Sequence, residues 1–144
     1  MLRQFLLGGA VSVINIAIHS LVMAILVRIA QLASAKDRLH PVLFLAAVMI
    51  PIVSLLMATH TLEVIVWAAA YALADAAPAG ADLVYFAFVN YTTLGYGDVV
   101  PVERWRLLGP MAAMNGALLF GWSTAVIFEV LRQAMRSRDR GDRP

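Results

Sequence analysis

The sequence predicts an all-α membrane protein: three transmembrane helices, and a shorter helix that enters the bilayer without crossing it. Three observations carry that expectation. Hydrophobic residues make up 62% of the 144 and charged residues 14%, with a mean hydropathy of +0.81, an apolar excess beyond that of a soluble domain. Runs apolar enough to cross a bilayer occur at about 5–30, 41–73 and 105–131, each meeting the roughly 20 residues a spanning helix needs. Between the second and third lies Ala81 to Thr92, "ADLVYFAFVNYT", too apolar for an aqueous loop and too short to span.

The first span is interrupted by Ser12, Asn15, His19 and Ser20 before Arg28. A signal peptide is the alternative, because Ala33-Ser34-Ala35 has the small residues of a cleavage site. Signal cores are only about 7–15 residues long and Arg28 stands just before that site, so a retained span is expected. The second span holds Pro51, His60 and Glu63. At about 1.5 Å per residue it is longer than a bilayer core of about 30 Å, so it tilts, kinks near Pro51 or extends past the lipid. Pro41 suits a first helical turn, where its missing N–H has no partner to lose. The third span carries Gly109-Pro110 near its start and Gly116 and Gly121 inside. Residues 132–144, "RQAMRSRDRGDRP", read as a short basic tail. No internal repeat appears, so residues 1–131 are expected to form one membrane domain.

The net charge is only +2. Basic residues gather at span ends, which reads as membrane topology rather than nucleic-acid binding. Arg28, Lys36 and Arg38 flank the first loop, and Arg132, Arg136, Arg138, Arg140 and Arg143 fill the tail. The positive-inside rule places both in the cytoplasm. The N-terminus and the segment 74–104 then lie outside, in a multi-pass protein of the plasma (cell inner) membrane. The chain has no cysteine, which excludes disulfides, thiolate metal sites and cysteine nucleophiles.

Non-helical backbone at membrane depth is tolerated only inside protein or beside a water-filled cavity. The chain is therefore expected to dip in as a half-helix over about 82–92 and climb out along an aqueous path through Thr93-Leu94-Gly95-Tyr96-Gly97-Asp98. That hexapeptide resembles the selectivity filter of tetrameric potassium channels. From about Val42 to Leu131 the order of outer helix, pore helix, filter and inner helix is also the family's, and the first span is an addition to it. The resemblance implies a potassium-selective channel that conducts K+ passively through a fourfold ring of filter carbonyls.

A potassium ion entering a narrow pore exchanges its water for other oxygens, which inward-facing backbone carbonyls supply. Such carbonyls align when backbone dihedrals alternate with left-handed values, which glycine adopts without steric cost, hence Gly95 and Gly97. By resemblance, K+ is held at Thr93, through its carbonyl and hydroxyl, and at the carbonyls of Leu94, Gly95 and Tyr96. Asp98 then stands at the outer mouth, with Asp75 and Asp82 on the same side. One chain supplies one filter strand, so the resemblance implies a homotetramer in a lipid bilayer. It implies no cofactor beyond the permeant K+, no nucleic acid and no small-molecule substrate.

Leu94 departs from the usual valine, a change that falls behind the ion path. Tyr85 and Phe86 occupy the place of the family's aromatic pair beside the filter, with the Tyr85 hydroxyl expected to reach Asp98. Thr92 and Val89 also belong to this filter support, and Val89 stands where some bacterial members carry a glutamate. Asn90-Tyr91-Thr92 is a glycosylation sequon, but burial beside the filter argues against its use. Gly116 and Gly121 resemble hinge glycines of the inner helix, although aligning them requires one residue fewer after the filter. They equally suit close helix packing. No arginine ladder like a voltage sensor appears.

Ionisable groups inside a membrane are costly and are candidates for function. His60 and Glu63 share a face of the second span, and Ser12, Asn15 and His19 recur at helical spacing on the first. Three uses are open: a structural hydrogen-bond network, a proton sensor, or a metal site of two histidines and a glutamate. Glu63 is expected to stand in for the carboxylate missing at Val89, bonded to His60, His19 or Asn15. The chain is not expected to be an enzyme: it has no HExxH and no serine-nucleophile motif, and an intramembrane enzyme leaves the filter unexplained. A non-conducting or accessory channel-like subunit is the alternative function.

Overall fold

A computed structural model describes residues 1–33 and 40–141. Its order is α1 (Leu2–Ala33), α2 (Pro41–Ala74), α3 (Leu83–Tyr91), a 3₁₀ turn (Glu103–Trp105) and α4 (Leu108–Gly141). Three of the described helices are long and apolar enough to cross a membrane, so the chain is an all-helical, multi-pass membrane protein. Exposed leucine, isoleucine and valine side chains, such as Ile14, Leu21, Leu43 and Ile50, suit a hydrocarbon surround.

The elements follow from local chemistry. Pro41 opens α2, and the helix continues through Pro51. Its 34 residues amount to about 50 Å, well beyond a bilayer core. Asp75 closes it in the left-handed conformation, at φ 47°, with its N–H returned to Ala72 and its successor's to Tyr71. Asp82 caps α3 by accepting from the Val84 and Tyr85 N–H groups, which otherwise lack partners at a helix start. Pro110 lies in the first turn of α4, where its missing N–H costs nothing. The buried Gln4 of α1 accepts from the Leu107 N–H at 2.8 Å and fixes that start.

The last helix corrects the expected boundaries. It begins at Leu108 rather than 105, because Glu103–Trp105 form a separate 3₁₀ turn. It also runs on to Gly141, through most of the segment read as a tail. Arg132 and Gln133 both bond back to Glu129, and no glycine or proline stands between Gly121 and Gly141. Polarity there ends the lipid-facing run without ending the helix. Lys36, Arg38 and Arg143, used above for orientation, lie outside the described residues.

The added helix α1 packs on both α4 and α2, and α3 is wedged between α2 and α4. Two cores result. One surrounds α3 with Val64, Trp67, Tyr71, Phe86, Tyr91, Leu108 and Ala112; the other joins Met23, Leu26, Ile52, Leu56 and Val130. The half-helix is thus held against Tyr71 of α2 through Phe86 and against Phe120 of α4 through Tyr91.

Candidate filter and buried polar cluster

The loop after α3 has an alternating backbone. Thr93, Gly95 and Gly97 have φ of 61°, 61° and 78°, while Leu94 and Tyr96 stay outside the left-handed region. Alternation of this kind turns successive peptide groups alike, with N–H groups on one side and carbonyls on the other. The N–H groups of Leu94 and Gly95 both point back to the Val89 carbonyl, at 3.0 and 3.3 Å. Thr93 is the unexpected member, since a β-branched residue is strained at positive φ. Its N–H is held by the Asn90 carbonyl at 3.0 Å.

Val89 and Tyr85 bond to the loop, Thr92 immediately precedes it, and Phe86 packs against Tyr71 of α2. Phe86 and Val89 are buried. The Tyr85 hydroxyl donates to Asp98 Oδ2 at 2.6 Å, which holds the Asp98 carboxyl below its ordinary value, with a smaller contribution from the Val99 N–H. Thr92 Oγ1 donates to the Phe88 carbonyl at 2.7 Å, and Asn90 Nδ2 to the Phe86 carbonyl at 2.9 Å. Asp82 is occupied with capping, and Asp98 is the acid at the end of the 93–98 loop. Leu94 and Tyr96 remain 53% and 68% exposed on the single chain.

Gly116 lies against the Tyr91 backbone, where a Cβ has no room, whereas nothing approaches Gly121 within 4 Å. Helix α4 continues through both. Close approach to α3 therefore accounts for Gly116.

Below α3 the intramembrane polar residues converge. His19 Nδ1 lies 2.9 Å from Glu63 Oε1, and His60 Nδ1 lies 2.9 Å from Glu63 Oε2. The Tyr91 hydroxyl donates to the same Oε2 and lies 2.9 Å from His60 Nδ1. Ser123 Oγ of α4 bridges the two rings, 2.9 Å from His60 Nε2 and 3.3 Å from His19 Nε2. Asn15 is bound differently from expectation: its Nδ2 donates to the Glu63 backbone carbonyl at 3.2 Å and to Asn115 Oδ1 at 3.0 Å, not to the Glu63 side chain. Asn115 Oδ1 also accepts from Trp67 Nε1 at 3.0 Å. Ser12 stays out of the cluster, donating to the Gly8 carbonyl of its own helix. Glu63 is bonded to His60 and His19 as expected, and it meets α3 at Tyr91, that helix's last residue.

Sequence reasoning found His19, His60 and Glu63 but missed Tyr91, Ser123, Asn115 and Trp67. Asn115 and Ser123 carried a signal: they are polar and lie eight residues apart in an apolar span, about two turns along one helical face.

Three spans with a half-helix wedged among them, leading into a loop of alternating backbone, define a multi-pass membrane protein of channel architecture. Residues 42–133, more than half of the chain, match the ion channel family, and the chain belongs to it. The matched region leaves out α1. Neither a curated protein nor a solved structure shows significant similarity to the chain.

Proposed function

We propose that this ion channel is selective for potassium and works as a homotetramer. The observation that carries the reading is the Thr93–Asp98 loop, whose sequence and backbone alternation suit a strand of K+-coordinating carbonyls. On this reading Thr93, Leu94, Gly95 and Tyr96 bind K+ and Gly97 completes the turn outward. Four copies close the ring, covering the Leu94 and Tyr96 side chains that one copy leaves exposed. The negative end of the α3 dipole, at Tyr91, stands at the filter's base and favours a cation there.

The N-terminus is placed outside and the C-terminus in the cytoplasm of the plasma membrane, by the basic residues at span ends. Membership of an ion channel family supports a role in passive transport rather than catalysis.

Purified protein in liposomes tests the proposal. A potassium gradient is expected to drive flux that barium blocks, with reversal potentials in mixed gradients following potassium over sodium. Equal permeability to both ions defeats selectivity. Folded tetramer without flux supports the non-conducting accessory subunit instead.

A further inference from the structure

The cluster of His19, His60 and Glu63 joins four helices at one buried point, and its hydrogen bonds can be counted. His19 and Glu63 are fully buried, and the His60 side chain is 14% exposed. Both carboxylate oxygens face imidazole Nδ1 atoms, so each of those contacts needs a proton between its partners. Both Nε2 atoms face one hydroxyl, that of Ser123. A serine hydroxyl has a single proton to donate. It can satisfy one Nε2, and the other then confronts an oxygen lone pair unless a further proton lies between them.

Two neutral imidazoles and an ionised carboxylate carry two exchangeable protons. That count leaves one histidine–serine contact repulsive and buries a net negative charge, two costs of the same sign. A third proton removes both. It makes every contact attractive whether the charge is written as imidazolium with carboxylate or as two imidazoles with a carboxylic acid, and the triad becomes neutral overall.

The other groups facing the triad supply no compensating charge. Tyr91 comes from α3, Asn15 from α1 through the Glu63 backbone, and Ser123 with the rings of Phe120 and Trp122 from α4. Among the described residues no lysine, arginine or second carboxylate bonds to it. The three ligand-type residues lie close enough to be considered for a metal. Their ring nitrogens and carboxylate oxygens are, however, already paired with one another, with Tyr91 and with Ser123.

We infer that His19, His60 and Glu63 form a buried proton-binding site that holds three protons in common, bridged by Ser123. The third proton ties the added helix α1 and the outer helix α2 to the inner helix α4 through Ser123. The same carboxylate holds the end of α3 through Tyr91, two residues before Thr93. The occupancy of this site is a property of the folded chain and does not depend on which ion it conducts.

The test reads proton occupancy directly. Full-length protein with ¹⁵N-histidine is placed in liposomes at pH 8, with a chelator present, where an exposed imidazole of ordinary pKa about 6.5 is almost wholly neutral. Histidine ¹⁵N spectra and the carboxyl infrared band are then recorded. Expected is one proton beyond the two-proton count: either one imidazolium equivalent per chain, or a protonated carboxyl band that Glu63→Gln abolishes. Three neutral histidines with an ionised Glu63 overturn the site, as does a spectrum that changes when the chelator is replaced by zinc at trace concentration. Ser123→Ala removes the oxygen that accepts the extra N–H, so the third proton is expected to leave at lower pH in that variant. Retention at the wild-type pH overturns the serine bridge.

Discussion

Gly116 of α4 lies directly against the backbone carbonyl of Tyr91, the last residue of α3, so closely that a methyl group there meets the carbonyl oxygen. The inner helix can support the half-helix only because that position has no side chain. Gly116→Ala forces backbone to move and is expected to destabilise the fold by about 1–3 kcal/mol, the usual range for overpacking. Gly121→Ala meets nothing within 4 Å in the chain and gains about 1 kcal/mol of helix propensity. Unfolding midpoints in detergent compare the two. A larger loss at Gly121 contradicts the packing role of Gly116.

Gly95 sits at φ 61°, where an L-residue pays about 1–2 kcal/mol. Gly95→Ala is therefore expected to disturb the loop while leaving the helices intact. The readout is potassium flux against helix content by circular dichroism. Lost flux with retained helicity supports the assignment, and wild-type flux in the variant contradicts it.

Element placement was legible because lipid imposes one simple demand, about 20 apolar residues per crossing, and α1, α2 and α4 each meet it. The end of α4 was not, since hydropathy marks where lipid stops and Arg132, Gln133, Ala134, Met135 and Arg136 remain good helix formers in water. Glycines announced the left-handed loop, yet Thr93 joined it against its own β-branched preference, which no composition rule reveals. His60 and Glu63 are neighbours on one helix and could be paired from spacing alone. His19 lies 44 residues from Glu63, and that meeting depends on how α1 packs. Tyr91 looks ordinary until α3 brings it to the Glu63 carboxylate, and Ser123 meets the two imidazoles only once α4 packs against α1 and α2.

Asp98 offers a pH test at the outer end of the loop. The Tyr85 hydroxyl donates to the carboxylate and holds its pKa below the ordinary 3.8, so the bond is present above that range and is lost as pH falls through the folded-state value. In Tyr85→Phe the carboxyl returns toward the ordinary range and takes up its proton at a higher pH. Acid suppression of inward potassium current is expected to begin at higher external pH in the variant. Coincident acid limbs for the two proteins remove the Tyr85 bond from the account of the outer mouth.

The same acid is expected to gather cations by its field. Asp98→Asn lowers inward current most at low ionic strength, because the Debye length is about 30 Å at 0.01 M and only about 8 Å at 0.15 M. Current–voltage curves at the two salt concentrations separate this effect from a change in filter geometry, which lowers current equally in both. A variant with an unaltered curve at low salt rules out electrostatic focusing by this residue.

Asn115 is one point where the added helix α1 meets α2 and α4. Its Oδ1 accepts from Asn15 of α1 and from Trp67 of α2, both at 3.0 Å, and all three side chains are buried. Asn115→Leu keeps the bulk but strands two donors. Interhelical hydrogen bonds in membranes are worth about 0.6 kcal/mol each on average, so a loss of about 1–2 kcal/mol is expected. Adding Asn15→Leu removes one stranded donor, although it also gives up the bond to the Glu63 carbonyl. A double-mutant cycle therefore isolates the coupling between the two asparagines. The expected outcome is a coupling of at least about 0.5 kcal/mol, with the double variant less destabilised than the sum of the singles. Strict additivity means that the Asn15–Asn115 contact contributes nothing to seating the added helix, which is then held to α4 by apolar packing and the His19–Ser123 contact.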